Sequence, residues 1–259
     1  MSEVSDYSIA LFNFTPVVEE SSHPLDLYKA VKIPSFQKAN PYDSKFQRKK
    51  IKVIDELLAN ETEYVSSLSH VVDQYMAAAA ASKLFTKEQL TKIFGNIKSL
   101  YEFHLIFHKK LRRTVTGSDQ CSVHELVNLF QSYFKHFYLY KAYCTKFDES
   151  AKYLQKLYST SPAHAEVLDK CRSKDKSMVH LPLSSYLLCP VQRICKYPLQ
   201  IEALARICED ESTKATVANL ATRFRDLLDE INEEKRNNEV FLEIDTWQNK
   251  VCFMLFSYF

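Results

Sequence analysis

Glu61 is the side chain that its sequence surroundings suit least. With Ile54 set at zero and about 100° added per residue, Leu57, Leu58, Tyr64, Val65, Leu68, Val71, Val72 and Tyr75 fall in one arc of about 140°, the apolar stripe of a packed helix. Glu61 falls within that arc, while Lys52, Asp55, Glu56, Glu63 and Asp73 lie on the other side. A carboxylate that is buried and unpaired is costly. Two chemistries stay open on spacing alone: a core carboxylate bonded internally, or an acid on an uncovered part of the stripe that recognises a partner.

The segment from Leu181 to Leu204 is the second unusual stretch. Leu187, Val191, Ile194, Pro198, Ile201 and Ala205 repeat at helical spacing, although Pro190 and Pro198 lie inside the pattern. Each interior proline costs on the order of 3 kcal/mol and tends to kink a helix, so an irregular backbone is expected to place something here. Opposite that stripe lie Gln192, Arg193, Lys196 and Gln200, either an ordinary solvated face or a polar strip on a bent helix. Further on, the stripe Val217, Leu220, Phe224, Leu227, Leu228 and Ile231 fades where Asn232 opens a polar run. His104 and His108 have metal-type i, i+4 spacing, but position 105 is Leu, so the base of an H-E-x-x-H site is missing and no third ligand follows. They read as packing or surface residues, with no metal.

Composition says what must position these groups. The chain has 259 residues, 46% of them hydrophobic and 13% aromatic, and 34 Lys+Arg stand against 32 Asp+Glu for a formal charge of +2. It contains two glycines, Gly95 and Gly117, where average usage would supply about eighteen. Gly-rich phosphate loops, dinucleotide fingerprints and nucleophile elbows are thereby excluded, and turn-dense β folds become improbable. The seven cysteines form no C-x-x-C pair and read as reduced thiols. The longest apolar run, Val251 to Phe256, is far short of the roughly 20 residues a spanning helix needs.

Proline placement divides the chain. Pro16, Pro24, Pro34 and Pro41 crowd residues 1–44, read as a weakly ordered leader, and 42–161 contains none. The apolar periodicity predicts an all-α protein with helices near 45–76, 87–113, 122–157, 163–171, 180–208 and 214–243. Basic groups at Arg48-Lys49-Lys50 and Lys109-Lys110-Leu111-Arg112-Arg113 read first as solvated faces; nucleic acid is not expected, and a weak anionic-membrane contact is the lipid alternative.

At these residues the chain resembles the Dbl-homology domain, the catalytic module of guanine-nucleotide exchange factors for Rho-family GTPases. Ile54-Asp-Glu-Leu-Leu-Ala-Asn-Glu-Thr-Glu-Tyr-Val is similar to that family's first signature, and Tyr186-Leu-Leu-Cys-Pro-Val-Gln-Arg-Ile-Cys-Lys-Tyr-Pro-Leu to its third. Ile93-Phe-Gly-Asn-Ile-Lys-Ser-Leu-Tyr-Glu-Phe-His fits the second more weakly. The resemblance implies an elongated bundle of about six helices over residues 45–245, proline-kinked near 180–208, with the apolar tail 246–259 as the start of a missing pleckstrin-homology domain.

It also implies the function: binding a Rho-family small GTPase of Rho or Rac type, remodelling its switches and promoting GDP release without covalent chemistry or cofactor. By the resemblance Glu61 contacts switch I, Lys196 and Asn232 engage switch II, and Gln192, Arg193 and Cys195 belong to the same GTPase-binding strip. Cys195 departs from the larger aliphatic residue that many members use to choose a partner; Gln200 and Asn60 depart similarly. The alternative is a GTPase-binding scaffold with weak exchange activity. The expected location is cytoplasmic, with recruitment to the plasma membrane.

Overall fold

The computed structural model describes residues 45–117, 121–172, 181–208 and 210–256. The leader 1–44 lies outside the described residues. Helix α1 (Lys45–His70) carries the stripe read from the sequence, and it runs on without a break through a π-helical stretch, Val71–Met76, into α2 (Ala77–Ala81). Alanine is the best helix former, which suits the run that ends this long rod. Then come α3 (Lys87–Phe94), α4 (Ile97–Thr116), α5 (Val123–Tyr133), a 3₁₀ turn (Phe134–Tyr138), α6 (Leu139–Thr160), α7 (Pro162–Arg172), α8 (Leu183–Ala205) and α9 (Glu211–Phe256). No strand occurs among the described residues.

Local chemistry explains where helices start. Thr86 and Ser122 each accept from the backbone three residues on, while Gln89 and Glu125 reach back, so α3 and α5 both open on a reciprocal capping box. Pro162 opens α7, where its missing N–H would have had no partner in any case. At α9 the Asp210 carboxylate accepts from Thr213 N at 2.7 Å.

Two expected helices are divided. The stretch 87–113 breaks at Gly95, whose φ of +53° only glycine adopts easily. The stretch 122–157 tightens into 3₁₀ geometry over Phe134–Tyr138, where Phe134 and Phe137 both turn into the core. The helix expected over 180–208 is α8, unbroken through Pro190 and Pro198, which are both buried. Tyr143 donates to the Leu187 carbonyl at 2.7 Å, next to the Tyr186 carbonyl that Pro190 leaves without its helical donor.

The core is largely aromatic. Phe103, Phe107, Phe130, Phe137, Tyr197 and Phe224, from five elements, meet edge-on or stacked, with Phe137 to Tyr197 at 4.9 Å and Phe137 to Phe224 at 4.9 Å. Such pairs add roughly 0.5–1.5 kcal/mol beyond the area they bury. Around this centre α1 packs on α4 and α8, α8 packs on α9, and α6 closes against α8 and α9.

Candidate functional site

The structure overturns the expectation of an exposed recognition acid at Glu61. Its side chain is 0% exposed, and it is met by donors from two other helices. His104 Nδ1 on α4 lies 2.6 Å from Oε1; the Arg193 guanidinium at 2.6 Å and the Tyr197 hydroxyl at 2.9 Å on α8 both donate to Oε2. The core reading, one of the two the spacing left open, is the one observed.

These contacts form one connected network. Tyr140 on α6 bridges His104 Nε2 at 2.8 Å and the Tyr64 hydroxyl at 3.0 Å, and Arg193 Nε donates to the Tyr197 oxygen at 3.1 Å. Burial alone would raise the Glu61 pKa, but His104 and Arg193 overcome it and hold the carboxyl down at about 2. Burial pushes His104 the other way, below the ordinary imidazole value, against the pull of Glu61. At neutral pH the network is therefore a carboxylate paired with Arg193 and supported by a neutral imidazole that donates from Nδ1. It holds α1 against α4 and α8 with every strong polar group satisfied.

Arg193 needs the same correction as Glu61. Placed by the sequence on a polar strip, it is 4% exposed, turned inward by its partner on α1. The other strip residues behave differently: Lys196 and Asn232 are exposed, Gln192 is half-buried, and Cys195 is half-buried against the core. Neither Lys196 nor Asn232 has an ion-pair or side-chain hydrogen-bond partner among the described residues. Helices α8 and α9 pack along each other and are pinned where Tyr197 stacks on Phe224 at 5.4 Å and where Arg225 pairs with Glu202. From the Tyr197–Phe224 contact, Lys196 is one residue away along α8 and Asn232 about two helical turns along α9. Leu199, three residues beyond Lys196, is 52% exposed on the same helix. The two histidines are spent on packing: His104 as above, and His108 at 2.9 Å from the Thr62 hydroxyl.

The acid that the sequence reading passed over is Glu56. It is exposed and has no side-chain partner among the described residues. Glu56, Asn60 and Tyr64 lie along one i, i+4, i+8 ridge of α1, and the Arg193 guanidinium stands 5.7 Å from the Tyr64 ring centroid, so this ridge borders α8. Helices α1 and α8 are antiparallel, with His70 beside Tyr186 and Glu61 beside Arg193, which brings Glu56 about level with Gln200 and roughly one turn from Lys196. Its position on the charged side of the wheel was the available signal for an exposed acid beside α8.

Solved structures with the same architecture are DH/PH exchange-factor domains. The linker-DH/PH domains of p115-RhoGEF superpose with a TM-score of 0.72 at 23% identity, over 80% of this chain and 62% of that one. The Vav1 exchange factor superposes at 0.70 and 24%, over 79% and 54%. The sequence matches the RhoGEF domain over residues 53–232, and the chain belongs to that family. Among relatives, the human Rho guanine nucleotide exchange factor 9 is 31% identical over 201 residues, 77% of this chain and 38% of that protein. The Dictyostelium discoideum myosin-M heavy chain is 28% identical over 92% of this chain and 14% of its own length. The chain thus spans well under half the length of these relatives.

Proposed function

We propose that this chain is a guanine-nucleotide exchange module that binds a Rho-family small GTPase of Rho or Rac type, remodels its switch regions and promotes GDP release. The observation that carries the reading is that Glu56 on α1, Lys196 on α8 and Asn232 on α9 are exposed without a side-chain partner among the described residues, and the register of these packed helices supports their lying on one face. The buried Glu61–Arg193 network behind this face fixes the spacing of its two nearer helices, so Glu61 and Arg193 are positioning residues. The family membership supports the same reading.

The proposed chemistry is differential binding. A partner that opens its nucleotide pocket loses the contacts its switches made to magnesium and phosphate; charged groups on a preset surface replace them in the empty state and not in the loaded one. Shifting such an equilibrium from 1:99 to 99:1 needs about 5.5 kcal/mol of differential affinity, within reach of an ordinary interface. No bond in the exchange module is made or broken.

The test is release of a fluorescent nucleotide from a panel of Rho and Rac GTPases. Glu56→Ala, Lys196→Ala and Asn232→Ala should each slow release at least tenfold, about 1.4 kcal/mol of transition-state stabilisation, with unchanged helicity and melting temperature. GTPase binding without accelerated release would establish the scaffold instead. Cytoplasmic work at the plasma membrane belongs to the same proposal.

A further inference from the structure

Two basic clusters about sixty positions apart in sequence meet at one end of the bundle. Helices α1 and α4 pack antiparallel: Glu61 bonds His104, Thr62 bonds His108, and Lys50 lies near enough to Cys121, just past α4, for its charge to bear on that thiol. The first turns of α1, with Lys45, Arg48, Lys49 and Lys52 exposed, are therefore neighbours of the last turns of α4, with Lys109, Lys110 and Arg113 exposed. None of these cations has an ion-pair partner among the described residues. Counting Lys50 and Arg112 as well, stretches 45–55 and 106–116 hold nine cations and one acid, Asp55; with nine taken from 34 and one from 32, the remainder of the chain carries 25 cations against 31 acids. A molecule of near-zero net charge is thus strongly polarised, and its positive end is not consumed by internal pairing.

An apolar side chain stands within this patch. Ile106, 54% exposed, precedes Lys109 and Lys110 by three and four residues and Arg113 by seven, on one face of α4. An exposed isoleucine ringed by lysine and arginine suits the boundary between lipid headgroups and acyl chains, where the cations meet anionic headgroups and the apolar group enters the hydrocarbon edge. A single-stranded nucleic-acid surface would instead call for exposed aromatic rings on which bases stack, and the large exposed apolar side chain here is aliphatic.

We propose that the paired basic ends of α1 and α4 form a docking surface for an anionic membrane leaflet, with Ile106 as its apolar contact. This surface goes beyond the exchange reading and stands on different residues.

The test is co-sedimentation of the full chain with vesicles of phosphatidylcholine alone and with phosphatidylserine added. Binding should require phosphatidylserine and weaken steeply as salt is raised. It should fall at least tenfold in Lys109→Glu/Lys110→Glu/Arg113→Glu and also in Lys45→Glu/Arg48→Glu, and fall measurably in Ile106→Ser. Circular dichroism and nucleotide release from a soluble GTPase without vesicles should be unchanged in these variants, so that failure of this surface and failure of the exchange reading are told apart. Equal binding to neutral vesicles, no binding to anionic ones, or binding indifferent to both charge reversals overturns the proposal. So does tighter binding to a duplex oligonucleotide that the same reversals abolish, which would give the patch to nucleic acid.

Discussion

Glu61 shows how a residue can be conspicuous in a sequence for one reason and important for another. Its place in an apolar stripe marked it correctly as exceptional, but its donors sit 43 and 132 positions further along the chain and no helical wheel brings them near. Removing one partner of a buried pair strands the other's charge, so Glu61→Ala or Arg193→Met should each cost about 3–5 kcal/mol by urea denaturation. The double variant should cost clearly less than the sum, because both charges leave together. Additive losses would show that the two groups act independently. Glu56 escaped notice for the opposite reason: it stands among other polar residues where polar residues ordinarily stand, and only the packing of α1 beside α8 separates it from Asp55 or Glu63.

At the level of elements, the helices were legible because a long proline-free stretch of apolar periodicity has no other economical reading: α7 and α8 begin and end within a few residues of expectation, and α1 reaches the expected end through its π-helical stretch. The breaks were harder. Gly95 was read through as part of one helix, since a single glycine costs only about 1 kcal/mol within a helix and its positive φ is invisible in sequence. Its backbone, at φ +53° and ψ −134°, lies where an L side chain is strained, while a Cβ added there would meet the Tyr143 ring at an ordinary 3.7 Å. Gly95→Ala should therefore destabilise by about 1–3 kcal/mol through backbone strain alone, read as a lower urea midpoint with an unchanged slope. A neutral result would mean that the α3–α4 junction relaxes into another conformation. The 3₁₀ turn at Phe134–Tyr138 was also unforeseen, because aromatic spacing within five residues does not distinguish a tight turn from a helix.

On the scale of the whole molecule, one buried network ties α1, α4, α6 and α8 together, so its protonation should be felt as global stability. His104 has a folded pKa below its ordinary value because burial disfavours the imidazolium, and His108 is lowered by burial too. The unfolded chain then binds more protons than the folded one below about pH 6.5, and stability should begin to fall as pH drops through that value. Glu61 acts lower down: with a folded pKa of about 2 against 4.5 unfolded, its contribution, about 3 kcal/mol, is complete above pH 4.5 and is lost as pH falls from there toward 2. The melting temperature should accordingly hold between pH 7 and 8, decline from about pH 6.5, and decline again below about 4.5. His104→Gln retains a neutral donor without a titrating ring, and should flatten the upper decline, leaving the His108 share, at the cost of a lower plateau. The titratable and charged groups facing that ring are Glu61, Arg193, Tyr64, Tyr140 and Tyr197; the Arg193 charge adds to burial in lowering the imidazole, and the tyrosines are held neutral throughout this range by burial. An upper decline undiminished in His104→Gln would assign it to other groups and would mean that the network is open to water in solution.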